Sequence, residues 1–116
     1  MKRYYSRLVE ALQLVAAESE SQLNALPDGS HKPDEVAILY EEPFLLTDSL
    51  LRGGRITSAQ LAKLKEIDDL FNAMSDPNLW TPEMMRMAPE WERARILARE
   101  ALGLLGEAVR KPVPWW

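Results

Sequence analysis

The sequence predicts an all-α protein that folds as a single compact domain of five or six helices. Apolar residues recur every three or four positions along most of the chain, and helix-starting and helix-stopping residues separate these stretches. A chain of 116 residues with 47% hydrophobic composition can bury one core but is short for two independent domains. We therefore assign residues 1–116 to one domain. Long first and last helices with shorter ones between them predict irregular, orthogonal packing.

The first helix is predicted over residues 2–25, because apolar side chains keep helical spacing from Tyr5 to Ala16. The Pro-Asp-Gly-Ser sequence at 27–30 combines residues that favour tight turns, so it ends this helix. Pro33 and the two acids after it are typical of a first helical turn. Residues 36–40 also fit a short buried strand, but the chain offers no comparable strand to pair with it, and helix is favoured.

Pro43 is expected to break that second helix and to start the next one, over residues 44–52. The two glycines at 53 and 54 follow directly and are typical of a helix end. A capping box runs from Thr57 to Gln60, so a longer helix should start there and continue to about Met74.

The last third of the chain predicts two more helices and an extended end. Thr81 followed by Pro82 opens a short helix to about Met87. Pro89 opens the final long helix, which Pro112 stops. Residues 112–116 contain two prolines and should form an extended tail.

Composition removes most familiar catalytic sites. The chain has no cysteine and one histidine, His31, so disulfides, thiol nucleophiles and Cys/His zinc sites are excluded. The two glycines at 53 and 54 lack the Lys-Ser or Lys-Thr pair of a phosphate-binding loop. Adjacent carboxylates such as Asp68 and Asp69 point about 100° apart on a helix and fit a solvated face better than a metal site. No cofactor or metal is expected, and an enzyme is the least favoured class.

Charge is unevenly distributed along the chain, whose net charge is −4. Residues 18–48 carry eight acids and only Lys32 as a base, whereas residues 86–111 are rich in arginine. In the second stretch Glu92 precedes Arg95 at the spacing of a local ion pair. Binding to nucleic acid or to an anionic membrane surface needs a positive surplus, so neither partner is predicted. The charge distribution instead predicts a basic protein as the partner.

Location inside the cytoplasm is expected. Lys2, Arg3 and Arg7 precede an apolar stretch that resembles a secretory leader, but Glu10 and Gln13 interrupt it. A leader needs an uncharged apolar core, so an amphipathic first helix is the better reading. No stretch reaches the roughly 18 apolar residues of a membrane span.

The acidic stretch contains the candidate binding residues. Acidic surfaces steer basic partners into contact, and buried aromatic side chains supply affinity. We expect four carboxylates to provide the negative electrostatic field, those of Glu35, Glu41, Glu42 and Asp48. Two aromatic residues, Tyr40 and Phe44, are expected to act as anchors. The open alternative is that the apolar residues here, Phe44 and Leu45 among them, belong to the core and that the acids only solubilise the protein.

The terminal Trp115-Trp116 pair admits two interpretations. Two tryptophans left in water would expose several hundred Å² of apolar surface, so they fold back over the domain or meet another protein. Folding back is favoured. A homodimer joined through the tail or the first helix remains the alternative, and it would suit an adaptor or regulatory protein without enzymatic activity.

Four segments of the chain carry a resemblance: Glu-Val-Ala-Ile-Leu-Tyr at 35–40, Leu-Leu-Arg-Gly-Gly-Arg-Ile-Thr at 50–57, Leu-Trp-Thr-Pro-Glu at 79–83 and Pro-Glu-Trp at 89–91. Together they resemble small all-helical immunity proteins of bacterial polymorphic-toxin and contact-dependent growth inhibition systems. The resemblance covers residues 34–106. It implies a stoichiometric inhibitor that binds the toxin domain of the same strain, often a nuclease, and blocks its active site or substrate groove. No functional residue transfers position by position.

Overall fold

The structure is a computed structural model that describes residues 2–115, and all regular secondary structure within that range is helical. Each of the six predicted helices is present, and the first is divided in two. The helices are α1 (Lys2–Ala16), α2 (Ser19–Ala25), α3 (Lys32–Phe44), α4 (Thr47–Arg52), α5 (Ser58–Ala73), α6 (Pro82–Met87) and α7 (Pro89–Leu104), with a 3₁₀ turn at Pro77–Leu79. The 36–40 segment lies within α3, so the helix prediction for it is confirmed.

One hydrophobic core joins the long helices, with α1 packed between α3 and α7, and α7 also packed on α5. Its aromatic centre lies around Trp91, which is fully buried at the start of α7. The ring centroids of Trp80 and Phe71 lie 5.4 and 5.7 Å from that of Trp91. Trp91 Nε1 donates to the carbonyl of Leu79, and Trp80 Nε1 donates to that of Met74. The two tryptophans therefore anchor the segment around the short helix α6 to the core.

The first predicted helix breaks at residues 17 and 18. No glycine or proline marks this position, and the reason is tertiary. Gln22 of α2 turns back so that its Nε2 donates to the carbonyls of Leu14 and Val15 at the end of α1. Arg99 of α7 donates from Nε to the carbonyl of Ala16. Because the last carbonyls of a helix need partners from elsewhere, these side chains stabilise an early end of α1.

The local start and stop signals of the middle segments are confirmed, with one correction. The Thr57 capping box forms with both hydrogen bonds, and Thr81 caps α6 by accepting from the amide of Met84. Gly54 has a φ of +73° just after the end of α4, a backbone conformation that favours glycine. Pro43, however, lies inside α3 rather than between helices, and the chain turns only after Phe44.

The last helix ends at Leu104, before the predicted stop at Pro112. Gly106 takes a φ of +76°, and the amide of Glu107 donates back to the carbonyl of Leu102, which closes the helix. The following residues run without regular structure along α1. There Gln13 donates from Nε2 to the carbonyl of Ala108 and accepts from the amide of Arg110 at 2.6 Å each. The extended tail is thus confirmed and is longer than predicted.

Trp115 folds back on its own domain. Its backbone amide donates to the carbonyl of Ala25 at 2.7 Å, and its half-buried side chain packs against the core. The interpretation that the tail covers the domain is confirmed for Trp115, and Trp116 lies outside the described residues. A dimer joined through Trp115 would first have to break this contact.

Candidate protein-binding face

Helix α3 has a buried side that the sequence spacing specifies. Pro33, Val36, Tyr40 and Pro43 recur at intervals of three and four residues, and all four are buried. They hold α3 against α1 and α5. The opposite side of the helix is thereby fixed toward solvent.

That opposite side combines apolar and acidic residues. Ile38 and Leu45 are two helical turns apart and are 46% and 69% exposed, and Leu46 follows at 36%. The side chains of Glu41 and Glu42 stand between Ile38 and Leu45 along the helix. We define the docking face as these apolar residues with the carboxylates around them: Ile38, Leu45, Leu46, Glu35, Glu41, Glu42 and Asp48.

The structure corrects the two predicted aromatic anchors. Tyr40 is 1% exposed, its hydroxyl donates to the carbonyl of Leu64 at 2.7 Å, and burial raises its pKa. Phe44 is half-buried, and its ring centroid lies 5.8 Å from that of Tyr40 in a stacked pair. Both aromatic residues therefore belong to the core of the domain. Neither offers a partner the exposed ring that we expected.

Ile38 is the exposed apolar residue that the sequence did not single out, and Leu45, which the alternative interpretation placed in the core, is exposed as well. Hydrophobic character alone pointed to the aromatic residues of the stretch. The signal that distinguishes the two groups is the register that runs through Pro33, Val36, Tyr40 and Pro43. Continued along the helix, that register places Ile38 and Leu45 on the outside.

Folding removes much of the charge separation seen in the sequence. Glu18 pairs with Arg99 at 2.9 Å, Glu20 with Arg86 at 2.5 Å, and Asp28 with Lys32 at 3.4 Å. The acidic first half thus meets the arginine-rich second half across the fold. The excess of acids counted along residues 18–48 is therefore partly neutralised in the folded protein.

The remaining acids of that stretch fall on or beside the docking face. Within the described residues, four of its carboxylates have no ion-pair partner within 4.0 Å: Glu35, Glu41, Glu42 and Asp48. These are the residues that the sequence analysis singled out for the acidic field. Glu41, Glu42 and Asp48 are exposed, and Glu35 is half-buried.

Asp68 extends the negative charge from α3 onto α5. Burial raises the pKa of this carboxyl, and repulsion from Asp69 and from Glu41 raises it further. Asn72 opposes this shift by donating to Asp68 Oδ2 at 3.1 Å. The sequence predicts a solvated Asp68–Asp69 pair, and only the packing of α3 on α5 brings Glu41 close to Asp68.

Replacing Asp68 by asparagine is expected to stabilise the protein at pH 7. Because the folded-state pKa is raised, ionised Asp68 destabilises the fold at neutral pH, and this cost disappears as the pH falls below the unfolded-state pKa of about 4. Thermal unfolding should give a higher Tm for Asp68→Asn at pH 7, and the advantage should vanish near pH 3. Glu10→Gln, which removes an exposed charge on α1, is the control and should lack this pH profile. A lower Tm for Asp68→Asn at pH 7 would contradict the assignment.

His31 lies at the N-terminal end of α3. Its Nδ1 is 3.0 Å from Asp34 Oδ2, a partner one turn along that the sequence analysis did not recognise. The side chain is largely exposed. It borders a cavity of about 550 Å³ between α2 and the start of α6, whose apolar lining includes Leu23, Pro33 and Trp80.

Residues 2–115 contain neither a cluster of metal-binding side chains nor a membrane-spanning helix. No group of three or more His, Cys, Asp or Glu side chains in this range is arranged to hold a metal ion. No helix formed by these residues has the length and apolar character needed to cross a bilayer.

Comparison of the chain with protein-family models, with curated protein sequences and with solved structures gives no match.

Proposed function

We propose that this protein is an immunity protein that binds a cognate bacterial toxin domain in the cytoplasm and neutralises it by occupying its active site or substrate groove. The toxin surface is basic, as a nuclease groove that binds phosphates would be. The protein acts as a stoichiometric inhibitor and transforms no substrate.

The docking face is the observation that carries this proposal. Its exposed apolar residues supply area that a partner buries, and its unpaired carboxylates favour a basic partner over others. The face lies on α3 and on the turn and first residues of α4 that follow it. The core holds α3 through Tyr40 and its neighbours, so little ordering is needed on binding. The resemblance of residues 34–106 to immunity proteins gives the class of partner.

The direct test uses the gene that lies upstream of this one. Its C-terminal domain should be a toxin, should co-purify with this protein at 1:1 ratio, and should stop growth of cells that lack this protein. Expression of this protein should restore growth. A domain that neither binds nor is neutralised would refute the proposal.

Reversing charge on the docking face should slow complex formation. Glu35→Lys with Glu41→Lys removes the attraction to a basic surface, so we expect the association rate constant at low salt to fall by about 10- to 100-fold. The difference in association rate constant between the variant and the wild type should shrink at 0.5 M salt, where the screening length drops to a few Å. Stopped-flow mixing with the catalytically inactive toxin domain measures both rates.

The matched control reverses the same number of charges elsewhere. Glu10→Lys on α1 and Glu83→Lys on α6 alter exposed acids outside the docking face. We expect less than a threefold change in the association rate for this pair. Equal slowing by both pairs would mean that only net charge matters and that α3 is not the binding surface.

A further inference from the structure

The start of α1 carries positive charge that the helix itself does not explain. Arg3 and Arg7 are exposed and lie one turn apart on the same side of α1. The first turn of a helix favours acidic side chains because of its free N–H groups, yet this turn contains none and includes Arg3. Neither arginine forms an ion pair within the described part of the chain. The two guanidinium groups therefore remain available to an external group.

These arginines border a cavity of about 320 Å³ between the start of α1 and the end of α3. Its lining residues are Arg3, Tyr4, Arg7, Glu42, Pro43 and Leu46. We call it the α1–α3 cavity. Leu46 and Glu42 also belong to the docking face, so the cavity continues that face onto α1. A partner that covers α3 reaches the cavity as well.

The charge of the α1–α3 cavity has the opposite sign to the rest of the docking face. Two guanidinium groups face one carboxylate, that of Glu42, which leaves a local surplus of positive charge. A lysine or arginine of a partner would be repelled here. A carboxylate would be attracted, and the planar guanidinium group binds carboxylates through paired hydrogen bonds. Tyr4, Pro43 and Leu46 supply apolar surface for the methylene groups of such a side chain.

We propose that the α1–α3 cavity receives an aspartate or glutamate side chain of the toxin domain. This inference rests on the proposed function and adds to it the partner's charge pattern, a basic surface with one carboxylate beside it. The acidic docking face would meet a basic surface of the partner, and the two arginines would meet a carboxylate. Together these contacts fix the orientation of the complex, because a rotated partner would place like charges together.

The test measures the Kd of the double variant Arg3→Glu with Arg7→Glu for the catalytically inactive toxin domain. The direction of the change in Kd distinguishes the possibilities. The double variant makes the protein more negative, so a uniformly basic partner would bind it faster and more tightly. A carboxylate in the cavity predicts the reverse, at least a tenfold increase in Kd that resides mainly in faster dissociation. An acidic residue at position 3 suits the first turn of α1, and Arg7 is exposed, so the variant should remain folded, which circular dichroism checks.

The control is Arg93→Glu with Arg110→Glu, which changes net charge equally at two exposed arginines on α7 and the tail. Long-range attraction should leave its affinity equal to wild type or slightly higher. Tighter or unchanged binding by the Arg3/Arg7 variant would overturn the inference while leaving the proposed function intact, provided that charge reversal on α3 still slows association. Failure of the wild-type protein to bind the toxin domain would overturn both.

Discussion

Trp91→Ala is expected to lower the free energy of unfolding by about 3–5 kcal/mol, the range for truncating a large buried aromatic side chain. Trp91 is fully buried, packs against the rings of Trp80 and Phe71, and its Nε1 satisfies the carbonyl of Leu79. Truncation leaves a cavity and an unpaired carbonyl at the turn before α6. Because small domains are stable by only about 5–15 kcal/mol, the variant should be close to unfolding at 37 °C.

Urea unfolding followed by circular dichroism at 222 nm measures this loss without relying on tryptophan fluorescence. Ile96→Ala, on the partly exposed side of the same helix, is the control and should cost less than about 1 kcal/mol. A loss below about 1 kcal/mol for Trp91→Ala would mean that the aromatic cluster does not organise the core.

Ile38→Ala combined with Leu45→Ala is expected to weaken binding to the toxin domain by about 10- to 100-fold. Full burial of one such side chain contributes about 1.5–3 kcal/mol, but a partner can bury only the 46% and 69% that Ile38 and Leu45 expose. Tenfold in affinity corresponds to about 1.4 kcal/mol. The two side chains are partly exposed in the free protein, so each truncation should cost less than about 1 kcal/mol of stability. Titration calorimetry with the inactive toxin domain gives the affinity, and urea unfolding gives the stability.

The matched control for this prediction lies on α7. Ile96 and Leu104 are exposed to a similar degree, 37% and 50%, and lie outside the docking face. Ile96→Ala with Leu104→Ala should leave the affinity within a factor of about 2. If the α3 pair and the α7 pair behave alike, the apolar residues of α3 are not at the interface.

The helix starts and stops show which parts of this fold are predictable from local sequence. Thr57 and Gln60 form their capping box, and Gly54 adopts its positive φ, with partners or conformations that lie within a few residues. The predicted ion pair between Glu92 and Arg95 is also local and also forms, with Arg95 Nη2 3.1 Å from Glu92 Oε2. Such features depend on neighbours along the chain, so the sequence alone specifies them.

The candidate site was predictable only in part. The carboxylates of the docking face are visible in the sequence as acids with no basic residue nearby. Such an acid stays exposed and unpaired unless folding brings a basic side chain to it. The fold supplied bases to Glu18 and Glu20, from α7 and α6, and none to Glu41 or Glu42. The exposed apolar residues of the face could not be identified from the sequence, because they depend on how α3 is rotated about its own axis. Packing of α3 against α1 and α5 sets that rotation.

By itself the sequence determined an all-α chain, the positions of its caps and turns, and an acidic third helix. Tertiary structure decided where α1 ends, that Tyr40 faces inward while Ile38 and Leu45 face outward, and that Arg3 and Arg7 border the end of α3. The physical reason is distance along the chain. Capping and turn formation act over three or four residues, whereas the partners of Gln22, Tyr40 and Arg99 are set by packing between helices that are far apart in sequence or separated by a turn.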